Sequence, residues 1–377
     1  MTNRTLPVTV AAVLFLVFSA TADAVDTRDM EAVRAKKVLE NSDLQTIDDF
    51  VSRAVGEILA TEDFSSISNI RSIILANSDS SEPDQAQFEQ QFSESAQKHI
   101  GASLQQAEGL TPPSRRFKVI TNLLILLDDL ADPRLADLTF RYVDSNNAVI
   151  SYWAVHCLTT PKLTDKLNSP KELDTARQIV SRLETVISTG SPEILKFIAS
   201  FAGSVKIPEG DDLLLKVADR RIASYADWSV HSELIDADIL KALADKMVSS
   251  NPGKGVAGRK FCQLLSYVFQ RYIKGGDVLK QTQKEQLASV LVETEKTCLS
   301  KLAGKPSFGI KKSIESGDST ALLGEHNNFL GGPAKQGQLP AQIEFDYGKD
   351  SGGTVLTQPL QLASPPPTPE KKPDSVS

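Results

Sequence analysis

The feature that most limits the fold of this chain is a helical apolar period recurring from about residue 28 to residue 303, where strand-like alternation is scarce. Leu44, Ile47, Phe50, Val51, Ala54, Val55 and Ile58 step by three and four and make one stripe. Phe117, Ile120, Leu123, Leu124 and Leu127 make a second, thickened by Ile125 and Leu126, so burial on most sides is expected there. Leu213, Leu214, Val217 and Ile222 repeat the pattern, as do Leu264, Leu265, Val268, Phe269 and Tyr272. Proline marks several starts. Asp132-Pro133, Ser169-Pro170, Ser191-Pro192 and Ile207-Pro208 place it near a first turn, where its missing N–H costs nothing. About a dozen helices joined by short polar turns are predicted, and short connections favour antiparallel neighbours. The expected fold is all-α, with stacked antiparallel helix pairs filling residues 25–303.

Residues 132–158 give the best repeat candidate. A first helix, Pro133 to Val143, leads into the tight turn Asp144-Ser-Asn-Asn, and a second begins at Ala148. Ile150, Ala154 and Leu158 fall where a HEAT repeat carries its valine, a small residue and its closing leucine. The segment resembles a HEAT-like helical repeat, which implies an α-solenoid architecture and nothing about activity. It departs at the usual arginine, which here is Ser151. That arginine normally ties neighbouring turns together.

The two ends read differently. Arg4, an apolar run from Val8 to Phe18, and Ser19-Ala-Thr-Ala-Asp-Ala24 follow the three-part plan of a signal peptide over residues 1–24. Cleavage is expected after Ala24, with Ala22 the second choice and an uncleaved anchor the alternative. The run is about half the roughly 20 residues a span needs, so no stable membrane insertion is expected after cleavage. The mature chain is expected to be extracytoplasmic, either periplasmic or secreted. Residues 304–330 lose periodicity and are expected to be irregular. Residues 331–377 are dominated by glycine, proline, glutamine and serine, and are expected to form a disordered tail.

A hydrophobic share of 41% supports a real core, and the net charge of −7 comes with no basic run. Nucleic acid is therefore an unsuitable partner. Three cysteines are too few for a disulfide framework. Cys157 reads as a small buried hydrophobe, while Cys262 and Cys298 lie on consecutive helices that a bridge could join.

No motif for chemistry survives its context. Gly253-Lys-Gly255-Val-Ala-Gly258 fits the dinucleotide pattern but follows a helix instead of a strand. Lys349-Asp350-Ser351-Gly352-Gly353 resembles a serine-protease nucleophile segment, yet the two β-barrels that such enzymes need are not predicted. His99, His156, His231 and His326 are scattered, so no metal site and no cofactor are expected. Asp48-Asp49, Asp128-Asp129 and Asp211-Asp212 sit near helix ends, and Asp128-Asp129, at a C-terminus, is expected to seek a basic partner such as Arg134.

Two aromatic groups stand out as candidate partner-binding surface: Tyr152 with His156, and Tyr225 with Trp228 and His231. Tyr152, Val155 and His156 fall opposite the Ile150, Ala154 and Cys157 face, so all three are expected to point outward. The leading expectation is an exported, non-enzymatic helical-repeat protein that binds or scaffolds another protein. The alternatives are an exported all-helical enzyme acting on polysaccharide, and an envelope component tethered by its tail.

Overall fold

A computed structural model describes residues 27–78, 85–248, 253–276, 278–304, 306–349 and 351–366. Helices α1 (Arg28–Arg34), α2 (Asn41–Ala60), α3 (Phe64–Ser78), α4 (Ala86–Glu108) and α5 (Pro113–Leu130) open the chain. Next come α6 (Asp137–Phe140), α7 (Ala148–Thr159), α8 (Pro161–Leu167), α9 (Leu173–Glu184), α10 (Pro192–Ser204) and α11 (Pro208–Ala226). Helices α12 (Asp236–Val248), α13 (Lys254–Lys274), α14 (Gln281–Thr294) and α15 (Ser300–Leu302) follow, then α16 (Gly309–Ser316), α17 (Ser319–Leu330) and α18 (Gln338–Ile343). Strand content among the described residues is slight: Gly331–Gly332 pairs antiparallel with Lys335–Gln336.

Proline begins the helical turns at residues 133, 170, 192 and 208, as the sequence requires. The preceding side chain completes the cap in three of these cases. Asp132 accepts from the Arg134 amide, Ser169 from Lys171 and Ser191 from Ile194.

The helices stack in two rows. One row runs α3, α5, α7, α10, α12, α14, α16, each member packing on the next. The other runs from α4 through the 3₁₀ turn Pro133–Leu135 to α8, α9, α11, α13 and α17. Rungs such as α4–α5, α7–α8, α10–α11, α12–α13 and α16–α17 join the rows. Helices contact mainly their neighbours in order, which is the packing of an all-α, solenoid-like stack. One continuous apolar core fills the space between the rows. Its densest member is α13, whose Phe261, Leu264, Leu265, Val268 and Phe269 are all fully buried. Each such side chain is worth roughly 1.5–3 kcal/mol relative to exposure.

Several expectations are corrected. The first helix of the 132–158 unit is broken into the 3₁₀ turn and the single turn α6, with the Thr139 hydroxyl donating to the Ala136 carbonyl at 2.7 Å. Such back-bonding competes with regular helix. Ser151, standing in for the expected arginine, donates to the Val143 carbonyl at 2.6 Å. Arg182 on α9 joins that helix to the 140–144 turn, its guanidinium donating to the Phe140 carbonyl (2.6 Å) and to Asp144 (2.7 Å).

Residues 306–330 are mostly helical, as α16 and α17, where an irregular segment was expected. Residues 331–347 and 356–363 pack on the body instead of forming a free tail, with Leu339, Phe345 and Leu362 buried; residues 367–377 lie outside the described residues, as does the signal-like segment. The Gly253–Gly258 motif opens α13 and serves packing. A Cβ at Gly258 would stand 2.9 Å from the Phe345 ring, so glycine there lets the 343–347 segment close on the helix. The cysteines are three free, buried thiols. Cys262 faces Tyr347, whereas Cys298 sits beside Thr297 with Asp245 of α12 nearby, so the two thiols look at different neighbours. Burial pushes the Cys262 thiol up to about 12, which makes it unreactive.

Candidate functional site

Three consecutive members of the first row, α5, α7 and α10, bring together polar and aromatic side chains that face outward. Tyr152, Trp153 and His156 of α7 are each half-buried, and Phe197 of α10 lies against them. Tyr152 stacks on His156 at 6.0 Å and meets Phe197 edge-on at 5.3 Å. His156 in turn meets Trp153 at 5.5 Å and Phe197 at 5.0 Å, both edge-on. These are favoured aromatic geometries, each worth about 0.5–1.5 kcal/mol beyond area burial.

The imidazole is fixed from below. His156 Nδ1 lies 2.8 Å from Asp128 Oδ1 on α5. That hydrogen bond raises the His156 pKa above its ordinary 6.5, with burial pulling the other way. Asp129, next along α5, is held above the usual carboxylate value by burial, while Arg71 of α3, at 3.6 Å, opposes the shift. Farther along the row, Lys196 of α10 pairs with Asp238 of α12 at 3.1 Å. The outward face thus carries a stripe from Arg71 through Asp129, Asp128, His156 and Phe197 to Asp238, spanning five helices of one row. Arg134, the partner expected for Asp128-Asp129, is engaged with Asp132 at 2.9 Å and with Glu89 at 3.7 Å.

A raised histidine pKa has a definite sign in the stability. The stabilisation is fully present below about 6.5 and is lost as pH rises through the higher folded value. A proton-NMR titration of His156 is expected to give a midpoint above 6.5, and Asp128→Asn is expected to bring it down. An unchanged midpoint in Asp128→Asn would remove the pairing from the account.

The sequence prediction for α7 needs one correction. Val155 is fully buried, so it belongs to the core with Ala154 and Leu158, while Tyr152 and His156 do face out. Trp153 and Phe197 were not among the expected surface residues, and Asp128 pairs with His156 where Arg134 was the expected partner. The one available signal was the discomfort of two aspartates at a helix C-terminus, which a neighbouring histidine relieves.

The second aromatic group does not form a surface. Tyr225 is fully buried, and its hydroxyl donates to Asp236 at 2.7 Å. His231 is exposed, and its carbonyl accepts from Arg221 at 3.1 Å. Trp228 is half-covered: Arg271 lies 5.2 Å from its ring, and its Nε1 donates to the Ala363 carbonyl at 3.1 Å. Among the described residues, no three side chains of the metal-ligating kinds gather as a site. No known protein family is matched by this sequence, and no curated protein matches it.

Proposed function

We propose that the chain is an exported, non-enzymatic binding or scaffolding protein of HEAT-like character that holds another protein against the outer face of its α5–α7–α10 row. The observation that carries this reading is the Tyr152, Trp153, His156 and Phe197 cluster. It presents rigid aromatic rings rimmed by charge across three successive helices, and rings of this kind dominate protein-interface energetics. Arg182, joining the 140–144 turn to α9, supports the HEAT-like part, because it ties that turn to a neighbouring helix. The net charge of −7 favours a partner with a basic or neutral face over an anionic one. Export rests on the signal-like residues 1–24.

The test places a photocross-linking residue at position 152 in the native host, with a second at position 181 on α9 as control. One partner captured at 152, absent at 181 and lost with Phe197→Ala, is the expected result. Loss on the order of tenfold or more in yield fits truncation of a central aromatic anchor. Capture that is equal at both positions, or insensitive to Phe197→Ala, would sink this face as the interface.

One observation favours a second reading, an exported enzyme acting on polysaccharide: carboxylates and aromatic rings share this face. Hydrolysis of a glycosidic bond uses two carboxyl groups flanking it, whereas Asp128 and Asp129 sit side by side on α5. Release of reducing sugar from a polysaccharide panel, abolished by Asp129→Asn, would choose the enzyme.

A further inference from the structure

Helix α13 is buried continuously from Phe261 to Arg271, yet it carries Gln263, Ser266, Gln270 and Lys274 at steps of three and four residues. These four polar side chains lie in one line. Gln263 and Gln270 are only 8% and 3% exposed, and Ser266 is fully buried. Buried glutamines need partners for both amide atoms. They find them in the main chain of residues 360–362. The Gln263 Nε2 donates to the Leu360 carbonyl at 3.2 Å, and its Oε1 accepts from the Leu360 amide at 2.9 Å. Gln270 Nε2 donates to the same carbonyl at 3.2 Å, and its Oε1 accepts from the Leu362 amide at 2.6 Å. Lys274 donates to the Leu362 carbonyl at 2.6 Å, and Trp228 to that of Ala363. Every one of these bonds joins a side chain of the body to the main chain of the segment.

Part of the body's side of this contact is held by bonds within the body. Trp228 and Ser232 have φ of 57° and 55°, left-handed conformations that a side chain other than glycine adopts at a cost of about 1 kcal/mol or more. The buried Arg271 holds that loop through the Trp228 carbonyl at 3.2 Å and the Val230 carbonyl at 3.4 Å. Ser266 and His326 close the floor, with Ser266 Oγ 2.8 Å from His326 Nε2 and accepting from Gln270 at 2.8 Å. On the segment's side, Pro359 and Leu362 are buried, while Leu360, Gln361, Ala363 and Ser364 are exposed. The site therefore reads main-chain groups and two side chains three residues apart. It leaves the others free to vary.

We infer that the groove formed by Gln263, Gln270, Lys274 and Trp228 is a peptide-binding site for Pro-x-x-Leu segments, and that residues 358–366 occupy it here as a ligand in cis. Helix α13 keeps its own backbone hydrogen bonds whether or not the segment is present, so release breaks no secondary structure of the body. A Pro-x-x-Leu peptide from another molecule competes with a tethered occupant whose effective concentration is of millimolar order. Its apparent affinity therefore falls by the fraction of time the groove stands open. This site lies in the other row from the Tyr152 face and does not depend on that reading.

The test uses the full chain. Leu362→Glu weakens the cis occupant without touching the groove, and a fluorescent peptide of residues 356–366 is titrated against it by anisotropy. The expected result is binding about tenfold or more tighter to Leu362→Glu than to the unaltered chain. Adding Gln263→Ala and Gln270→Ala to that variant is expected to abolish it. No binding to a Leu362→Glu chain that keeps its circular dichroism, or binding indifferent to the glutamine substitutions, overturns the proposal. If Leu362→Glu disturbs the fold, hydrogen exchange of the unaltered chain decides. Leu360 and Leu362 amides exchanging about a hundredfold faster than those of α13 support an occupant that leaves, and equal protection overturns it.

Discussion

Asp236→Ala is expected to cost about 3–5 kcal/mol of stability, the loss that follows when one partner of a buried ion pair is removed. Arg221 and Asp236 have side chains 3% and 0% exposed, and they meet through two parallel bonds of 2.7 and 2.8 Å. The Tyr225 hydroxyl spends its proton on the same carboxylate. Arg271 lies 5.9 Å from the Tyr225 ring, and burial lowers its pKa. With Asp236 gone, two buried guanidinium groups are left to Glu233, which is 3.5 Å from Arg271. One charge is then uncompensated in a dry site. Because each helix packs mainly on its neighbours, the damage is expected to stay around α11 and α12. Urea unfolding is expected to split into two transitions, with amides of residues 207–248 exchanging first. Arg221→Met with Asp236→Leu is expected to restore most of the loss, since apolar replacement of a whole buried pair is often neutral. A loss under about 1 kcal/mol in Asp236→Ala would mean that water reaches the pair, which its burial denies.

The helical stack was legible because its signals are local. Proline and a short polar side chain fix the starts at residues 133, 170 and 192, and the stripe on α2 fixes its buried face. Helix α7 shows where that logic weakens. Ala148-Val-Ile-Ser-Tyr-Trp-Ala-Val-His-Cys-Leu-Thr is apolar nearly all round, so periodicity alone cannot phase it, and Val155 was placed on the wrong side. Half of the Tyr152 face was visible in α7. The other half, Asp128 and Phe197, depends on which helices share a row, and one helix's sequence does not carry that. Residues 358–366 were unreadable for a different reason. Only Pro359 and Leu362 of the segment are buried, and it is held through its main chain by glutamines about 90 residues earlier. The sign of it lay in α13, where a line of polar side chains crosses an otherwise buried helix. Composition could not separate a tail that packs through its backbone from one that does not.

The second large effect is expected at Glu295. Helix α14 ends in the π turn Glu295–Leu299, and an extra residue in a turn re-aims the side chains beyond it. Glu295 is 2% exposed and accepts three bonds of 2.9 Å, from the Ser307 hydroxyl and from the Ile310 and Lys311 amides. Those two amides belong to the first turn of α16, whose own N-cap residue, Phe308, supplies no side-chain acceptor. A carboxylate borrowed from another helix thus does the capping, and α16, at eight residues, is too short to persist without tertiary support. Glu295→Ala leaves both amides unpaired and is expected to cost about 2–4 kcal/mol, with bonds to charged acceptors near the upper end of the usual range. Glu295→Gln keeps one oxygen and is expected to fall between the two. Hydrogen exchange is expected to quicken over residues 306–330, with α11 and α12 unaffected. The disturbance has one further destination. Helix α17 packs on α16 and carries His326, the partner of Ser266 beneath residues 360–362. Loosening α16 is therefore expected to raise exchange at Leu360 and Leu362 as well. Unchanged protection at those two amides would show that the groove on α13 is held independently of the α16–α17 pair.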